Sequence, residues 1–180
     1  MAQRLADLDV DARVRSAGLL DAGLEAARHS VDVVKARGLD LSAHRSRTMT
    51  RAMVDDADLV LGMARSHVRE AVLAAPGAWP KTFTLKELVR LGDKAGPRQP
   101  GEPLEEWLAR AGEGRNQAAL LGASPTDDVA DPIGHPRPVY EQLVAELDDL
   151  LERLVKLVWG QSGRLIPGTG AAPDSGHGGP

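Results

Sequence analysis

The stretch "ADLVLGMA", Ala57 to Ala64, limits the possible folds of this chain more than any other. It is a continuous apolar run of strand length, the pattern of a strand buried on both faces, and such strands belong to parallel sheets covered by helices. "KTFTL" (Lys81 to Leu85) reads as another strand, and "ARVRSAG" (Ala12 to Gly18) alternates and ends in glycine, which predicts a short strand running into a loop. Helical patterns separate and follow these runs. Leu24, Ala27, Val31 and Val34 recur at helical spacing, with Gly38 as a stop. Thr50 is placed to cap a short helix through Asp56, and Ser66 to cap one that Pro76 ends. "KELVRL" is a helical turn, "LEEWLARA" (Leu104 to Ala111) a small helix, and Met1 to Leu8 the tail of one. Leu143, Leu147, Leu150, Leu151, Leu154 and Val158 mark a long amphipathic C-terminal helix. Strands alternating with helices define an α/β protein with a parallel sheet, in which ligands bind at the carboxyl ends of the strands.

Composition narrows the function. A chain of 180 residues suits one domain, here residues 1–160, with a Gly/Pro/Ser-rich tail over 161–180 that is expected to be disordered. Net charge is −4 and the basic residues are scattered, which argues against a nucleic-acid partner. No apolar run is long enough to span a bilayer, and the first residues lack the apolar segment of a secretory signal, so a cytoplasmic location is expected. The chain contains no cysteine, which removes disulfides, thiolate metal sites and thiol nucleophiles together. His29, His67, His135 and His177 show no metal-ligand spacing; neither a metal nor another cofactor is expected.

The stretch "DDVADPIGHP" (Asp127 to Pro136) carries three aspartates ahead of a stiff turn. On the residues alone, Asp131 is a turn residue whose carboxylate bonds nearby backbone N–H groups, since Asp-Pro is a common turn pair. Asp128 reads as a solvated turn residue and Ser16 as the end of a strand. His44, Arg45 and Arg47 read as a solvated basic loop, although such a loop can attract phosphate.

Taken in order, several segments resemble the low-molecular-weight protein-tyrosine phosphatases. They are "SAG" (Ser16 to Gly18), "RGLDLSAHRSRTMT" (Arg37 to Thr50), "DDADLVLGMARSH" (Asp55 to His67), "KTFTLKEL" (Lys81 to Leu88) and "DVADPIGHP" (Asp128 to Pro136). The resemblance implies a three-layer α/β sandwich and hydrolysis of phosphotyrosine proteins or small aryl phosphomonoesters through a phosphocysteine intermediate. Asp131 would then be the general acid and base, aimed from a loop that Pro132 stiffens. Ser16 would support the phosphate loop, and His44, Arg45, Arg47 and Ile133 would rim the substrate pocket. Ile133 stands where many members carry an aromatic residue. The stretch from Gly92 to Thr126 is longer than in compact members.

The family's phosphate loop, C-x-x-x-x-x-R-S, has no counterpart in the sequence. Met1-Ala2-Gln3 resembles the tripeptide that follows that loop, so the expectation is a chain lacking the family's first, central strand, its nucleophile and its loop arginine, and inactive as written. A longer natural protein would supply them. Two other readings stand beside this one: a non-catalytic phosphoprotein-binding homologue completed by a partner strand, and an arsenate-reductase-type relative.

Overall fold

A computed structural model describes residues 1–160; the expected disordered tail lies outside the described residues. Seven α-helices and two strands are described: α1 (Ala2–Ala6), α2 (Arg28–Lys35), α3 (Arg51–Asp55), β1 (Val60–Gly62), α4 (Arg65–Ala74), β2 (Thr82–Thr84), α5 (Leu85–Ala95), α6 (Leu104–Ala111) and α7 (Arg137–Trp159). Short 3₁₀ turns cover Pro76–Lys81 and Gln117–Leu120. The strands are parallel and in register, Val60 opposite Thr82, Leu61 opposite Phe83 and Gly62 opposite Thr84. With α4 as the crossover they form one βαβ unit.

The apolar run does form a strand, but β1 is only half-buried at Val60 and Leu61, and among the described residues it is hydrogen-bonded to β2 alone. The fully buried strand is β2. Its two threonines each satisfy a polar need in the core. Thr82 Oγ1 donates to the Ala78 carbonyl at 2.7 Å, and Thr84 starts α5 with a capping box. In that box the Glu87 N–H donates to Thr84 Oγ1 at 3.1 Å, and the Thr84 N–H donates to the Glu87 carboxylate at 3.3 Å. Thr84→Ala should cost about 1–2 kcal/mol, read as a lower midpoint in urea with an unchanged slope.

The expected strand over Ala12–Gly18 does not form. Only Gly18 is paired, in a single parallel bridge to Thr48, and the surrounding residues are exposed. Strand alternation alone cannot hold an extended segment that has no ladder on either side. Arg13 and Arg15 instead reach Asp56, just ahead of β1. Leu24 likewise lies before the helix it was expected to open. Its N–H donates to Ser46 Oγ at 2.9 Å, and α2 starts only at Arg28. The "KELVRL" turn is longer than expected: α5 runs on through Gly92 to Ala95, taking in the start of the Gly92–Thr126 stretch.

The main core lies between β2 and three helices. Phe83, Leu85, Leu88 and Val89 pack on Trp107, Leu108 and Ala111 of α6 and on Leu150, Leu154 and Val158 of α7. The Gly92–Thr126 stretch is therefore part of the core. Its Trp107 is fully buried, with Nε1 donating to the Gly96 carbonyl at 3.0 Å.

Candidate active site

Residues 124–133 leave the core at the carboxyl end of β1. The Val129 N–H donates to the carbonyl of Met63, the residue directly after β1, at 2.7 Å. That is the end of a parallel sheet at which ligands bind. A groove lined in part by Asp55, Asp56, Asp58, Lys81 and Glu105 lies at the opposite end, where both strands begin.

The three aspartates have different environments. Asp127 is buried between two guanidinium groups: its Oδ2 accepts from Arg65 at 2.7 and 3.2 Å and its Oδ1 from Arg90 at 2.9 Å. Burial pushes its carboxyl pKa up, but the hydrogen bonds from Arg65 and Arg90 outweigh this and hold it below the ordinary aspartate value. A lowered folded-state pKa makes this contribution to stability fully present above the unfolded value, and it is lost as pH falls through the folded one. The anchor is therefore intact at neutral pH.

Asp128, expected to be a solvated turn residue, is half-buried and caps α4 from a distance. Its Oδ1 accepts from the Arg65 N–H at 2.7 Å and its Oδ2 from the Ser124 N–H at 2.8 Å. That corrects the cap as well. The N-cap is Ala64, whose side chain has no acceptor, so the first amide of α4 takes its partner from a residue 63 positions later rather than from Ser66.

Asp131 is exposed. Its Oδ1 accepts from the Ile133 N–H at 3.0 Å, the local turn bond its sequence predicts. Among the described residues its second oxygen has no hydrogen-bond partner. Pro132 is half-buried beside it, and Ile133 is 68% exposed, available to a ligand rather than packed away.

The other expected site residues lie elsewhere. Ser16 is exposed, two residues before the Gly18 bridge. His44, Arg45 and Arg47 belong to the strip that runs beside residues 18–24, with Gly18 N–H donating to the Arg47 carbonyl at 2.8 Å and Gly23 N–H to the Ser46 carbonyl at 2.9 Å. Arg45 is engaged by Glu25 at 3.0 Å and by the carbonyls of Ser42 and His44. Among the described residues no hydrogen bond joins this strip to Asp131.

An aspartate-bearing loop is thus held at the carboxyl end of a parallel βαβ unit, an α/β architecture. The comparisons give the family. A family model described as low molecular weight phosphotyrosine protein phosphatase matches residues 1–96. A protein-arginine-phosphatase of Geobacillus stearothermophilus is 33% identical over 145 residues, covering 79% of this chain and 74% of that protein. A low molecular weight protein tyrosine phosphatase from T. tengcongensis matches in structure with a TM-score of 0.62 at 29% identity, over 86% of this chain and 83% of that one. The YwlE arginine phosphatase from Geobacillus stearothermophilus matches with a TM-score of 0.58 at 30% identity, over 84% of this chain and 78% of that one. The chain belongs to the low-molecular-weight protein-tyrosine phosphatase family. No helix among the described residues is long and apolar enough to cross a membrane.

Proposed function

We propose that this chain carries the general acid of a low-molecular-weight phosphatase that acts on phosphorylated protein side chains, with Asp131 as that acid. The observation that supports it best is Asp131 itself. It is a solvent-facing carboxylate with one oxygen that has no hydrogen-bond partner among the described residues, on a loop tied by Val129 to the carboxyl end of β1. In the first half-reaction a thiolate attacks phosphorus, the bond from phosphorus to the leaving atom breaks, and the Asp131 proton goes to that atom. In the second, water oxygen attacks phosphorus while the Asp131 carboxylate takes its proton; the new P–O bond forms as the P–S bond breaks, and phosphate leaves with the thiolate regenerated.

The chain has no cysteine to play the nucleophile, so the 180 residues alone should release no phosphate above background from phosphotyrosine or phosphoarginine peptides. Extending the chain with an apolar strand and a C-x-x-x-x-x-R-S loop should create activity. Both substrates belong in the assay, because the relatives include phosphatases named for arginine and for tyrosine. Turnover by the unextended chain would overturn the assignment of roles. A cytoplasmic location goes with this reading.

A second reading is a non-catalytic binding protein that takes a partner strand. The half-buried β1, bonded to β2 alone among the described residues, favours an added strand along its other edge. Tight binding of a phosphopeptide by the unextended chain, without turnover, would select this reading.

A further inference from the structure

We propose that Asp127 is the positioning residue of the acid loop: with Arg65 and Arg90 it clamps the segment bearing Asp131 against the carboxyl end of β1. The inference rests on the reading of Asp131 as the general acid. Three consecutive residues are anchored, each to a different group. Asp127 joins side chains of two helices, Arg65 at the first position of α4 and Arg90 on α5. Asp128 accepts from the backbone N–H groups of Arg65 and Ser124, and Val129 donates to the Met63 carbonyl.

The chain then passes from buried Val129 through exposed Ala130 to exposed Asp131. Two residues reach at most about 7 Å, so a fixed Val129 confines the Asp131 backbone to a small volume beside the strand end. Pro132 narrows its direction further by locking φ.

Asp127 is the part of this clamp that depends on charge. Arg65 serves twice, its guanidinium holding Asp127 and its amide holding Asp128, so the two anchors share one residue. Arg90 Nε is buried with no acceptor among the described residues, which leaves the bond from its Nη2 to Asp127 as the partner of that guanidinium. The charges facing Asp127 are thus Arg65 from α4, Arg90 from α5 and its neighbour Asp128. Removing the Asp127 charge leaves two guanidinium groups without the carboxylate that bridges them. The acid loop then loses its tie to the two guanidinium groups and keeps the bonds of Asp128 and Val129 to backbone groups, which open more readily when unsupported.

The Ile133 amide reports on this directly, because it donates to Asp131 Oδ1. In nitrogen-15 NMR of the full chain at neutral pH, its chemical shift reads that bond. In Asp127→Asn the Ile133 signal should move toward its unfolded-chain position by about half or more of the difference, and amide exchange at Val129 should rise roughly tenfold. The amides of Leu154 and Val158 in α7 should be unchanged. Arg90→Met, a milder change at a side chain that is 40% exposed, should give a smaller effect of the same kind and carries the test if Asp127→Asn does not fold. A lowered melting temperature with the Ile133 shift and Val129 exchange unaltered would make Asp127 merely structural and overturn the proposal. The acid assignment is tested separately, by turnover in Asp131→Asn. Either result can fail without the other.

Discussion

Asp131→Asn, made in a form of the protein that carries the C-x-x-x-x-x-R-S loop, should lower turnover of phosphate esters with poor leaving groups by roughly 10²–10⁴-fold. Esters of acidic phenols should lose far less. Asparagine keeps the shape, and its carbonyl oxygen can still accept from the Ile133 N–H, so the loop should stay where it is. What it lacks is a proton to donate. An alkoxide or ordinary phenolate leaves slowly without one, whereas an activated phenolate carries its own charge. The ratio between the two substrate classes separates loss of the acid from general damage, because a displaced loop or a weakened binding site would slow both. Equal losses on both substrates would remove Asp131 from the mechanism.

Much of the architecture could be read from local pattern. "LEEWLARA" is α6 residue for residue, and the leucines from Leu143 onward mark α7 because its buried side chains recur on one face. The pattern over Ala12–Gly18 fails for a reason local sequence does not carry. Alternation states which residues would face a core, but a strand also needs a hydrogen-bonded neighbour, and only Gly18 has one. The apolar run at Ala57–Ala64 is misread in degree for a related reason, since burial on both faces depends on what lies along both edges of β1.

The candidate site divides in the same way. The turn bond of Asp131 could be read because it is local, as is the motif that makes Asp131 a candidate. Asp127 and Asp128 could not be told from solvated turn residues, since their partners lie far off in sequence: Arg65 is 62 positions from Asp127, and Arg90 is 37. A faint local signal existed. Helix α4 opens with no capping side chain at Ala64, so some distant acceptor had to serve its first amide.

Arg115→Ala should produce one of the largest losses of stability of any single change in the Gly92–Thr126 stretch. Its guanidinium lies between two rings, 3.9 Å from the centre of Trp79 and 3.7 Å from that of Phe83. It donates to both oxygens of Glu87 at 2.9 and 3.1 Å, to the Thr82 carbonyl at 2.7 Å and to the Trp79 carbonyl at 3.3 Å. The side chain is 5% exposed and its partner carboxylate 14%. Arg115 thereby ties the stretch to β2 and to the capping box of α5, since Glu87 serves both. Truncation leaves a nearly buried carboxylate without its cation, a strand carbonyl without its donor and a gap between two aromatic rings. Together these should cost about 3–5 kcal/mol, a fall in melting temperature of roughly 6–20 °C for a domain of this size. Arg115→Lys keeps the charge but not the fork or the flat face, and should recover only part of the loss. Glu87→Gln combined with Arg115→Met should be less damaging than the separate losses added together, because no charge is then left buried alone. Chemical denaturation of five variants against the parent decides it: Arg115→Ala, Arg115→Lys, Arg115→Met, Glu87→Gln and the double. A loss below about 1 kcal/mol for Arg115→Ala would put the ion pair among those that contribute little, and the anchor of this stretch would then be Trp107.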